Sequence, residues 1–224
     1  MQCVRVWFHK NGRAKYISHL DLMRSMTRAV KRAGIPLWYT EGFNPHPYMT
    51  FPLPLSLGVE SDRECMDIKV EDGVSLEEII KSFDGKMPEG LDVFDVTVPF
   101  NDAKEIRSAA YMITAKFKDK KTAEEYVSLS QKAIESKTLV GRKKGKQGRK
   151  KVMKEIPLAE HIFECGFSVN EDEVEIDVRL SAGNENNVNP SVFVGALNEN
   201  VGIVPEYVLL YKKALYTQGT EIFY

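Results

Sequence analysis

The stretch that decides the fold is KYISHLDLMRSMTRAVKRAGIPLWYTEGFNPHPYMTFPLPLSLG, residues 15–58. Ser18 is suited to cap a helix, with Asp21 three residues on as its acidic partner. Leu20, Met23, Met26 or Thr27, Val30 and Ala33 make an apolar stripe, and Gly34 with Pro36 beyond it ends the helix near Ala33. Arg24, Arg28, Lys31 and Arg32 fall on the other side. A short aromatic strand follows at residues 37–40. Five of the ten prolines then lie between Pro36 and Pro54. Such a stretch cannot be helix and pairs poorly as a central strand, so residues 41–58 read as a rigid binding loop.

Upstream, Val4, Val6 and Phe8 alternate with Arg5, Trp7 and His9, which predicts a half-buried strand. Asn11-Gly12 marks a turn. Downstream, residues 64–70 alternate as a strand, Ser75 and Glu78 open a short helix with a capping box, and residues 91–98 form another strand. The order β-α-β-β-α-β is that of a ferredoxin-like unit. The second half repeats it: a strand at 109–117, a helix at 122–136 with Tyr126, Leu129, Ala133 and Ile134 inward, and a short strand at 137–140. Strands follow near 151–158, 161–169 and 173–181, then a helix at 190–200 and a strand at 204–216. The expected fold class is therefore α+β, two tandem ferredoxin-like (βαββαβ) halves with antiparallel sheets. Residues 1–100 and 108–224 are the two domains, and the second carries an extra strand.

The 224 residues have a net charge of −1, but the charge is segregated. Residues 1–50 carry +6, residues 137–154 carry +9, and the remainder carries −16. Two basic islands on an acidic body point to a specific polyanion site. The tract GRKKGKQGRKK, residues 141–151, reads as a basic hairpin tip. No apolar run reaches the ~20 residues a membrane helix needs. Three scattered cysteines argue against a disulfide framework and for a reducing compartment, the cytoplasm. The Cys and His residues do not cluster, so no metal is expected, and no Walker loop, dinucleotide fingerprint or nucleophile elbow indicates a cofactor or an acyl-transfer site.

His19 and His46 are the candidate acid–base residues: one opens a helix whose N-terminus favours anions, the other is held between two prolines. Arg24, Arg28, Lys31, Arg32, Arg142, Lys143, Lys144, Lys146, Arg149, Lys150 and Lys151 are candidate phosphate contacts. Tyr39, Phe43 and Asn44 are candidate base contacts, and Trp7, Tyr48 and Phe51 could also stack. Taken singly, each has an ordinary packing role; the combination of a basic helix with a rigid aromatic loop is what suggests a site.

The strings SHLDLMR (18–24), GFNPHP (42–47) and CMDIKV (65–70) resemble an uncharacterised radical-SAM-associated domain family. Such domains occur alone or fused behind a cobalamin-binding radical-SAM enzyme. The likeness is dense over residues 15–70 and weak beyond about residue 100. It implies a standalone domain, without the radical-SAM cysteine motif, that acts with such an enzyme in trans, and the family's genomic setting hints at RNA. A looser likeness, in inferred topology alone, is to metal-independent CRISPR repeat-processing endonucleases. Three functions are thus expected in order: an RNA-binding accessory module, a metal-independent RNA-processing enzyme using His19 or His46, and an adaptor for a radical-SAM partner.

Overall fold

The computed structural model describes the backbone of residues 1–147 and 150–224, and their side chains except at 144, 146, 147, 150 and 151. The chain is a mixed α+β protein with a mostly antiparallel sheet and, among the described residues, four α-helices. It divides into two compact units. The first is Met1–Glu105 with Ile222–Tyr224, and the second is Ile106–Glu221.

In the first unit β1 (Gln2–Lys10) lies between β3 (Val59–Val70) and β4 (Val93–Thr97), and the two-residue β2 (Met49–Thr50) pairs with the outer side of β3. All these pairings are antiparallel. Val4, Val6 and Phe8 face Ile68, Met66 and Glu64 across the ladder, and this side takes the helices. The helix α1 (His19–Arg32) starts because the Ser18 hydroxyl accepts the Asp21 N–H at 3.2 Å, and it ends ahead of Gly34, whose φ of 71° suits a residue without a Cβ. Leu22, Met26, Ala29 and Val30 are the residues it buries. The stripe is rotated from the sequence expectation: Leu20 is exposed, while Leu22 is 3% exposed and belongs to the core. The helix α2 (Leu76–Ser82) opens with the expected capping box, Ser75 and Glu78 each bonding the other's backbone N–H.

In the second unit β5 (Ser108–Lys116) lies between β10 (Tyr207–Tyr216) and β9 (Glu173–Ser181), and β8 (Ile162–Asn170) pairs with β9, again antiparallel. The helix α3 (Lys120–Glu135) is capped by Asp119, and α4 (Pro190–Val201) by Asn189 with Pro190 in its first turn. Residues Val140–Gln147 (β6) and Lys150–Pro157 (β7) form a separate two-stranded ladder, and a strand at 137–140 is absent because Lys137 turns with φ of 57°.

Candidate functional site

The proline-rich segment is tied to the edge of the first sheet. Leu37 bridges Val70, and Met49 and Thr50 pair with Ile68 and Asp67. Between these anchors the chain makes a hairpin: the Trp38 N–H donates to the Lys69 carbonyl (2.9 Å), the Tyr48 N–H to the Trp38 carbonyl (3.1 Å), and the Thr40 N–H to the His46 carbonyl (2.9 Å). Prolines sit where no ladder donor is needed, the one placement a sheet edge allows them.

Alternation sorts the side chains of this edge. Leu37 and Met49 join the helix-side core with Ile68 and Val70. Trp38, Tyr48 and Lys69, one residue along in each strand, fall on the side away from the helices. There the Lys69 ammonium stands 4.4 Å from the Tyr48 ring and 5.1 Å from the Trp38 ring, and the two rings are 6.2 Å apart, tilted by 54°. Trp38 and Tyr48 are half-buried; Phe43, at the hairpin tip, is fully exposed. Tyr39 is exposed on the hairpin, with the Lys31 ammonium 5.7 Å from its ring. Pairs of cation and exposed ring are worth about 0.5–1 kcal/mol each, so the stacking faces are held only lightly by their own partners.

Beside Tyr48 the same face opens into a cleft of about 620 Å³, lined in part by Gln2, Cys3, Thr50, Asp67 and Asn101. Its floor is fixed by Arg5, 1% exposed. The Arg5 guanidinium binds both Asp67 oxygens (2.7 and 2.8 Å) and donates to the backbone oxygens of Tyr224 and Asn101 (2.8 and 3.1 Å). Burial, aided by the Asp67 charge, pushes the Cys3 thiol above its ordinary pKa and keeps it protonated.

The two histidines have different surroundings, and no hydrogen bond or ring contact among the described residues joins them. His46 is exposed; its Nδ1 lies 3.0 Å from the Thr40 hydroxyl and 3.1 Å from the Asn44 carbonyl. A carbonyl only accepts, so the Asn44 contact is a hydrogen bond when Nδ1 carries the ring hydrogen. His19 packs edge-on against Phe51 at 5.1 Å, and Phe51 in turn against Phe8 at 6.3 Å. The His19 Nδ1 is buried without a partner, and burial lowers the pKa of the ring. A histidine held neutral by burial stabilises the fold fully above the unfolded value near 6.5, and that contribution is lost as pH falls through the window below it. Urea midpoints measured at pH 7 and pH 5 should therefore fall less for His19→Gln than for the unmodified chain; an equal fall would contradict this.

The helix cations are scattered in role. Arg24 pairs with Asp21 at 3.2 Å, Arg32 donates to the Lys86 carbonyl at 2.7 Å, and Arg28 is exposed. Arg142 binds Glu155 (3.3 Å) and Glu199 (2.7 Å), and Lys143 is exposed. Arg149 and the side chains of Lys144, Lys146, Lys150 and Lys151 lie outside the described residues. Of the rings expected to stack, Phe51 is half-buried and packs against the core, and Trp7 is 2% exposed between Arg63 (4.6 Å) and Tyr224 (5.5 Å). Sequence reasoning passed over Lys69 and Trp38. The signal for Lys69 is its place between Ile68 and Val70 in an alternating strand, but only the hairpin register brings the two rings to it.

No curated protein matches the chain. Among solved structures, a crystal structure of an unknown protein from Galdieria sulphuraria is 10% identical, over 94% of this chain and 96% of that one, with a TM-score of 0.27. That score is too low to carry any argument about fold or function. A family model described as an uncharacterized protein conserved in bacteria, DUF2344, matches residues 4–190. The chain belongs to the DUF2344 family.

Proposed function

We propose that the first unit is an RNA-binding module that grips single-stranded RNA at the sheet edge around Trp38, Tyr48 and Lys69. The observation that carries the reading is the lysine standing between two half-buried rings on the face without helices, next to an open cleft. Single-stranded RNA is bound by bases splayed onto aromatic side chains and by cations along the backbone, and an antiparallel sheet face is a recurring platform for it. The strand orders β4-β1-β3-β2 and β10-β5-β9-β8 support reading both units as ferredoxin-like halves. The exposed hairpin rings Tyr39 and Phe43, with Lys31 of α1 beside Tyr39, extend the grip from the sheet edge. In this reading the protein is an accessory to RNA processing or modification, acting in the cytoplasm beside a radical-SAM enzyme. Three free cysteines fit a reducing compartment, and the radical-SAM partner rests on the resemblance of SHLDLMR and GFNPHP.

Salt dependence tests the electrostatic half. The logarithm of the affinity for a single-stranded RNA should fall linearly with the logarithm of salt, and Lys69→Gln should flatten the slope by about 0.7 if Lys69 neutralises one phosphate. An unchanged slope would remove Lys69 from the interface.

A further inference from the structure

The second unit carries a cation between aromatic rings as well. Along β9, Val174, Ile176, Val178 and Leu180 are buried, so Glu175, Asp177 and Arg179 occupy the opposite face. The Arg179 guanidinium lies 5.3 Å from the Phe163 ring and 5.6 Å from the Tyr216 ring. It donates to Glu164 at 2.7 Å and to the Gly219 carbonyl at 2.5 Å, which uses two of its five N–H groups; its Nε has no partner. Beside it opens a cleft of about 500 Å³ lined by Glu164, Gly166, Asp177, Arg179, Lys213 and Tyr216, among others. The charges of this lining pair off: Arg179 with Glu164, and Lys213 with Asp177 at 2.9 Å.

That balance selects the ligand. A phosphate entering the cleft would meet two carboxylates and two cations already engaged. A neutral planar ring meets a tyrosine face, a guanidinium plane and two carboxylates able to accept N–H groups. We propose that this cleft is a nucleobase subsite, in which a base stacks on Tyr216 and Arg179 and its exocyclic amino group donates to Asp177 or Glu164. Carboxylates accept from the cytosine amino group in this way, and uracil has no amino group to offer. The subsite takes its ligand class from the RNA reading of the first unit, but it uses none of the same residues.

Neutral nucleosides separate the two readings and separate base from phosphate. The full chain, labelled with ¹⁵N, is titrated with cytidine, with uridine and with inorganic phosphate, following the Arg179 Nε–H and Gly166 amide signals. Cytidine should shift both saturably, uridine should bind more weakly by on the order of ten-fold, and phosphate should leave both in place. Arg179→Lys keeps the charge but not the plane, and should weaken cytidine by on the order of ten-fold. Signals that stay still with cytidine, or that phosphate moves as readily, overturn the subsite. Cytidine shifts that persist in a chain with Trp38→Ala and Tyr48→Ala support it, even if that chain and its parent bind RNA alike, an outcome that would refute only the first-unit reading.

Discussion

Asp67→Ala is expected to destabilise the chain by about 3–5 kcal/mol, read as a lowered urea midpoint with an unchanged slope. Arg5 is 1% exposed, and Asp67 holds it with two short hydrogen bonds on a side chain only 14% exposed. Removing the carboxylate leaves a buried guanidinium with only the Tyr224 and Asn101 backbone oxygens as hydrogen-bond partners. The same guanidinium stacks 4.4 Å from the Phe223 ring, so its displacement also loosens residues 222–224. Replacing both partners together, Arg5→Met with Asp67→Leu, should cost far less, because no charge is then left uncompensated. If the single and double changes cost the same, the pair is not the anchor described here.

The second large effect is on binding. Trp38→Ala combined with Tyr48→Ala is expected to weaken single-stranded RNA by at least about 30-fold, since each base–aromatic stack is worth about 1–3 kcal/mol and each 1.4 kcal/mol is a factor of ten. Both residues sit on an edge hairpin and are half-buried, so the fold survives their truncation better than it would a loss from the core around Phe8 and Met66. Circular dichroism and the urea midpoint of the variant check that the loss belongs to the interface.

Local signals carried much of the backbone. Caps at Ser18 and Ser75 and the alternation of β1 and β9 were legible because each depends on a few neighbouring residues. The rotation of α1 was not: residues 20, 22, 23, 26, 30 and 33 are apolar and support two overlapping stripes, and only the packing against Val4, Val6 and Met66 selects the one through Leu22. The double burial of β1 was hidden for a different reason. Arg5 and Trp7 look like the wet face of a strand until Phe223 and Tyr224, more than two hundred residues away, cover them. The site was half visible. Prolines and aromatics flagged residues 36–54, but they also masked the pairing of Leu37, Met49 and Thr50 with β3, and with it the arrival of Lys69 between Trp38 and Tyr48. The helix arginines drew attention by their spacing, yet α1 packs on the sheet side opposite Lys69, and Arg24 and Arg32 already have partners.

The most direct measurement compares three full-length chains by fluorescence anisotropy with one labelled single-stranded RNA at one salt concentration: the unmodified chain, Trp38→Ala/Tyr48→Ala, and Arg24→Gln/Arg28→Gln. Binding through the sheet edge predicts the large loss in the aromatic variant and a small, salt-like loss in the helix variant. Equal binding by the aromatic variant and the unmodified chain, with the loss confined to the helix variant, would contradict the account.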